Sequence, residues 1–252
     1  MGRDFEVRDG KLFFYRPWDA GEKYLKKWTP QQNHNLSVSG GSEKTSYNLG
    51  LGYLDQAGSL KVNPDQFSRY NFSASINTAI NDHIDLRAKA FYTNTLTTTP
   101  FIFSGAQYGP FYYLYRWPSF YPYGTYEGAP FRNAVTEVEQ ANMNESKSGL
   151  ARIQAGATFK IAKGLTLDAD YTYSSTNTHY NSVGGGTSAW DFWAGWPSAP
   201  SPNYQSVSYD YTFVGSGWKT VNTAKTYATY SAEVNNHSFK VIAGGDLEYY
   251  QS

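Results

Sequence analysis

The chain has 252 residues, enough for one large domain, with 21 Lys plus Arg against 21 Asp plus Glu and a formal net charge of zero. Charged residues make up 17% and aromatic residues 18%, which excludes the basic excess of a nucleic-acid binder and the aromatic-poor composition of a disordered chain. The absence of cysteine excludes disulfide frameworks, zinc–thiolate and iron–sulfur sites and a cysteine nucleophile, and no run of about 18 apolar residues offers a transmembrane helix.

Residues 1–32 are polar and without period and read as an irregular passage into a patterned region. From there, apolar and polar residues alternate with period two over about 33–41, 44–55, 68–81, 84–96, 148–161, 165–177, 218–234 and 237–250. In the second segment Tyr47, Leu49, Leu51 and Tyr53 form one phase, in the third Tyr70, Phe72, Ala74 and Ile76, and in the fourth Ile84, Leu86, Ala88, Ala90 and Tyr92. Later segments set Ile153, Ala155, Ala157 and Phe159, then Leu165, Leu167, Ala169, Tyr171 and Tyr173, then Ala224, Ala228 and Tyr230, and last Phe239, Val241, Leu247 and Tyr249 on one phase. Side chains of a strand point alternately to its two faces, so each segment has one apolar and one polar face. Arg69, Asp85, Arg87, Lys89, Arg152, Lys160, Asp168, Asp170, Lys225, Glu233, Lys240, Asp246 and Glu248 all fall on the polar phase.

A soluble antiparallel sandwich also alternates, but two features favour a membrane wall. The patterns persist for roughly 10–15 residues, where soluble strands run about 5–6 and tilted membrane-spanning strands need about 9–11. Connections alternate between tight turns (41–43, 81–83, 162–164, 235–236) and long loops (56–67, 97–147, 178–217). Short periplasmic turns and long extracellular loops mark outer-membrane barrels. Tyr53, Tyr70, Tyr92, Tyr171, Tyr173 and Tyr249 sit on the apolar phase toward the long-loop end, where an aromatic girdle belongs. The expected fold is therefore all-β: an antiparallel up-and-down transmembrane β-barrel segment of about eight long strands, with short periplasmic turns and long extracellular loops. The polar passage 1–32, the opening MGRDFEVRDGK without a signal-like apolar stretch, and the stop at Tyr249-Tyr250-Gln251-Ser252 lead us to read the chain as part of a larger barrel.

The long loops hold the candidate ligand residues. Tyr113, Trp117 and Tyr121 stand in the first and Trp190, Trp193 and Trp196 in the second, among further aromatics broken by prolines. Flat rings with a polar tip suit stacking on sugars or holding peptide side chains; the same rings also serve to pack large loops on themselves. Asp168 and Asp170 share a face and read as lumenal charge pairs with Arg152 and Lys160, while Gln154 and Thr158 read as inward positions that tolerate a carboxylate. The four histidines lack metal-ligand spacing, no Ser–His–Asp arrangement is visible, and neither catalysis nor a metal or other cofactor is expected.

Residues 33–60, NHNLSVSGGSEKTSYNLGLGYLDQAGSL, and 68–92, SRYNFSASINTAINDHIDLRAKAFY, resemble the SusC/RagA family of TonB-dependent outer-membrane transporters. The resemblance rests on Asn35, Ser37, Ser39, Gly40 and Gly41, then Tyr47, Gly52 and Tyr53, then Gly58, and then Arg69, Tyr70 and Asn71. It implies part of a 22-stranded barrel, following a plug, in an importer of oligosaccharides or peptides. The implied partners are outer-membrane lipid, a SusD-like surface lipoprotein, and TonB through a plug absent from this chain. Two other readings stay open: a self-contained small outer-membrane barrel acting as an adhesin or binding module, and a soluble β-sandwich carbohydrate-binding domain.

Overall fold

A computed structural model describes residues 5–9, 11–15, 17–101, 122–191, 203–208 and 212–252. The segment from Phe5 to Tyr24, expected to be irregular, contains a small hairpin, β1 (Phe5–Arg8) and β2 (Lys11–Phe14), and a short helix, α1 (Ala20–Tyr24). The alternating segments form β3 (Gln31–Gly41), β4 (Thr45–Ala57), β5 (Gln66–Asn81) and β6 (Ile84–Pro100). After them come β7 (Thr125–Tyr126), β8 (Ala129–Pro130), helix α2 (Ala134–Glu139), β9 (Met143–Ala162) and β10 (Leu165–Val183). The chain ends with β11 (Gly186–Asp191), β12 (Asn203–Ser208), β13 (Thr212–Val234) and β14 (His237–Gln251).

Eight of these strands form one antiparallel sheet in the order β14-β13-β10-β9-β6-β5-β4-β3. Each long strand is thus hydrogen-bonded to its predecessor in the meander, which satisfies the backbone within the sheet. The tight turns close as their sequences require. Ser42 N–H donates to the Thr45 carbonyl (2.7 Å); Gly164 and Asn235 adopt positive φ (81° and 54°), which glycine and asparagine tolerate best. β3 and β14 are not paired with each other, so these eight strands do not close as a small barrel.

The register brings the apolar phases of all eight strands onto one face. One row runs Val38, Leu49, Ala74, Ala90, Ile153, Tyr173, Asn222 and Tyr249. Among the described residues nothing is packed against this face: Leu51 is 55% exposed, Ile153 60% and Leu247 73%. A sandwich would bury these side chains against a second sheet, so the sandwich reading is overturned. Tyr53 lies eight residues beyond Thr45, the first residue of β4; Tyr92 lies eight beyond Ile84 and Tyr173 eight beyond Leu165. At about 3.3 Å per residue this sets a level line of tyrosines about 27 Å along the strands from the tight turns. Charges on the apolar phase, Asp55, Glu145 and Lys147, begin only beyond that line.

The strands outrun their expected ends at the long-loop side. β9, β10 and β13 have 20, 19 and 23 residues, because sequences such as Met143–Ser148 and Asn177–Ser182 are polar on both phases and carry no period for a pattern to catch. Beyond them the supposed loops fold into a cap with its own core. Tyr24 of α1, Leu60 of the β4–β5 connection, and Ala134, Val135 and Val138 of α2 are buried together. Leu25 bridges Leu60, and Lys61 N–H donates to the Tyr24 carbonyl (2.9 Å). The chain therefore runs through the cap and enters β3 from the long-loop end.

Asn133 organises α2. Its carboxamide oxygen accepts from Val135 N–H (2.9 Å) and Thr136 N–H (3.1 Å), while its nitrogen donates to the Pro122 (3.2 Å) and Phe131 (3.1 Å) carbonyls. An N-cap of this kind is worth about 1 kcal/mol, and the abandoned Pro122 carbonyl adds a further penalty, while the Phe131 carbonyl keeps the Thr136 hydroxyl (2.7 Å). Asn133→Ala is accordingly expected to cost the cap about 2–3 kcal/mol, read as faster proteolysis within residues 122–141 while the sheet stays intact. Burial first, and Asp65 second, push the Tyr24 hydroxyl well above the usual tyrosine range. Its contribution is complete below about pH 10 and is lost as pH rises through the raised value. Near-UV circular dichroism should show an alkaline transition of the cap that Tyr24→Phe shifts or abolishes.

Candidate functional site

The polar face and the cap at its long-loop end make up the candidate site. On the polar face one register row runs Arg87 (β6), Gly156 (β9), Asp170 (β10), Lys225 (β13) and Asp246 (β14). Arg87 crosses over β9 to reach β10. Its Nε donates to Asp170 Oδ1 (2.9 Å) and Nη2 to Asp170 Oδ2 (2.6 Å), while Nη1 donates to Thr158 Oγ1 (2.7 Å) and Asp168 Oδ1 (3.3 Å). Thr158 donates to Asp168 (2.5 Å) and Gln154 to Asp170 (3.3 Å). Gly156 makes the crossing possible: a Cβ there would collide with the Asp170 carboxylate and stand 2.7 Å from Arg87 Nε.

This corrects the pairing expected from sequence. Asp168 and Asp170 lie opposite Thr158 and Gly156, not opposite Arg152 and Lys160. Lys160 pairs instead with Asp85 (2.9 Å), and Arg152 lies opposite Ser174. Thr158 and Gln154 are committed to carboxylates, so an added acid there meets like charge and is not benign.

Among the six aromatic residues singled out as ligand contacts, Tyr113, Trp117, Tyr121, Trp193 and Trp196 lie outside the described residues. Trp190 lies on β11, half-buried. Its Nε1 donates to the Tyr126 carbonyl (2.7 Å), its ring meets Tyr126 edge-on at 5.2 Å, and its carbonyl accepts from Arg132 N–H (2.9 Å). Trp190 is a post of the cap. The neighbouring aromatic group centres on Phe131, which Phe5 and Phe14 meet edge-on at 5.2 and 5.5 Å, so the β1–β2 hairpin is stitched to the cap.

A nearly sealed ion cluster that sequence reasoning missed fastens α2 to β11. Arg132 donates to Glu137 (2.6 Å) and Asp191 (2.7 Å), and Thr187 donates to Glu137 (3.0 Å). Burial works against the Arg132 charge, but Glu137 and Asp191 outweigh it and the guanidinium is held above its ordinary pKa. The available signal was Asn133 ahead of Ala-Val-Thr-Glu, a helix start inside a supposed loop. The cap also leaves aromatic surface uncovered: Trp28 is 77% exposed, and Tyr123 (38% exposed) meets Trp18 at 4.8 Å with the rings tilted by 32° and the Lys23 ammonium 5.4 Å from its ring.

No family model matches the chain, and no curated protein matches it. Solved structures do. The RagAB peptide importer in its closed-closed state shares 19% identity and a TM-score of 0.63, over 94% of this chain and 26% of that chain. The open-open state gives 20% and 0.64 over the same shares, and a RagAB peptide transporter structure gives 20% and 0.63 over 93% and 26%. The chain thus spans about a quarter of the length of the chains it matches and has the fold of part of such a protein.

The Gly156 gap yields a test that leaves both charged partners in place. Gly156→Val should abolish the coupling between Arg87 and Asp170. Urea unfolding of the intact protein would show Arg87→Met and Asp170→Asn interacting by about 1–2 kcal/mol in the native background and by none in the Gly156→Val background.

Proposed function

We propose that this chain is part of the wall of a TonB-dependent outer-membrane importer of peptides or glycans, in the bacterial outer membrane, working with a SusD-like surface lipoprotein. The observation that carries this reading is the separation of charge by face. Between the tight turns and the tyrosine line, every charged strand residue lies on the polar face, while the opposite face is apolar, uncovered and bounded by a level aromatic row. A sheet bathed in hydrocarbon on one side needs that separation, and the likeness to the RagAB peptide importer supports it. The polar face then lines a lumen, the tight turns lie in the periplasm, and the cap and long loops lie outside.

Unpaired backbone groups are costly in lipid, so the free edges of β3 and β14 belong against further strands of a larger barrel. Because β3 is entered from the cap end, residues 5–30 belong among the outer loops, and not in a passage from a periplasmic plug. Transport itself requires a plug and TonB contact that these strands do not supply. The adhesin reading loses its self-closing barrel, because β3 and β14 do not pair.

Ile153→Asp in the intact protein places a charge among the lipid-facing residues and should cost about 2–4 kcal/mol of membrane stability, blocking heat-modifiable assembly. Ser174→Asp on the inward face, opposite Arg152, should assemble normally. Equal assembly of the two variants would overturn the assignment of faces.

A further inference from the structure

The polar face holds its charges differently at two levels. Toward the tight turns both signs are mixed: Arg87 pairs with Asp168 and Asp170 and Lys160 with Asp85, and Lys225 lies opposite Asp246. Toward the cap, Arg69, Lys89, Arg152 and Lys219 stand on the same face, and among the described residues none has a carboxylate within ion-pair distance. The carboxylate at that level, Glu248, accepts from Thr223 (3.3 Å), and Lys219 sits over the Tyr250 ring at 4.9 Å.

Lys89 and Arg152 are diagonal neighbours: Lys89 lies opposite Gln154, two residues along β9 from Arg152. Diagonal positions are about 7–8 Å apart, within reach of each other for long side chains, so two like charges there repel unless an anion lies between them. Arg152's own row carries Phe91 on one side and Ser174, Val221 and Tyr250 on the other. Phe91 and Tyr250 are 37% and 57% exposed. Cations on β6, β9 and β13 thus stand next to exposed rings on β6 and β14, within one register step of each other.

On the importer reading, we infer that Lys89, Arg152 and Lys219, with Phe91 and Tyr250, form a lumenal binding strip for acidic peptides. The cations take carboxylate groups, and the rings take the intervening apolar side chains. Peptide is favoured over a carboxylated sugar chain because the strip interleaves charge with apolar rings.

The test uses the purified intact transporter and titration calorimetry with a Glu-containing pentapeptide and its Gln counterpart at low salt. The acidic peptide should bind about tenfold more tightly, an advantage that added salt erodes. The double variant Lys89→Gln/Arg152→Gln should lose that advantage while binding the Gln peptide as before, and its heat-modifiable gel mobility should be unchanged. Equal binding of both peptides by the native protein would overturn the strip. So would equal loss of both in the variant, or retention of the acidic advantage, or a variant-sensitive response confined to a uronic-acid oligosaccharide. Uptake of the Gln peptide by cells reports on the peptide-importer reading separately: its presence without acidic selectivity removes only the strip, and its absence removes peptide as the imported class and the strip with it.

Discussion

The structure depends on one constraint: each long strand must give one side chain in two to a face that holds no charge between the tight turns and the tyrosine line, while its backbone groups pair only with its neighbours in the sheet. Strict period two satisfies the first demand and the antiparallel meander satisfies the second. Both demands act on every strand at once, so they fix the register. A slip of one residue in β9 would send Arg152 and Lys160 to the apolar face and Ile153 and Phe159 to the polar one. The row through Leu49, Ala90, Ile153, Tyr173 and Tyr249 is kept in phase by that penalty more than by any contact among its members.

This explains which parts were legible. The tight-turn ends of the strands were, because apolar alternation stops there against Gly, Asn and Asp; Ile84, Leu165 and His237 begin strands as the pattern placed them. The far ends were not, because residues 178–182 and 212–217 are hydrogen-bonded as strands without contrast between their faces. The cap was hidden for a different reason. Its core joins Tyr24, Leu60 and Val138, three segments far apart in sequence, none with enough apolar residues to show a period. The Arg87 pairing was hidden because a strand's sequence names its own face but not the residue across the ladder, and still less one reached across a glycine.

The wall and the cap hold together by different physics. The wall has no buried core among the described residues; backbone ladders and cross-strand pairs supply its cohesion, and hydrocarbon, in the proposed setting, supplies the rest. The cap is held as a small soluble protein is, by a buried apolar cluster, an asparagine cap and a nearly sealed arginine between two carboxylates. The division matters for function. A loop springing from a frayed strand end presents its aromatic residues over many geometries, at an entropic cost to any ligand. Here the connections depart from fixed posts, with Trp190, Phe131 and Tyr126 locked to one another.

The uneven charge of the polar face has its origin in the same division. Close to the tight turns, Arg87 lies against the wall where Gly156 leaves room, shielded on both sides by side chains of β9 and β10, and there an unpaired charge would be costly. The pairs that Arg87 makes are what that burial demands. Nearer the cap, Lys89, Arg152 and Lys219 stand exposed, and exposure removes the need for a partner. Structural cohesion therefore accounts for the Arg87 cluster and not for the upper cations. A wall selected only for stability and solubility would scatter both signs across its wet face, as the lower level does; the upper level instead keeps its cations beside bare aromatic rings, an arrangement that gains only when something anionic and partly apolar lies against it.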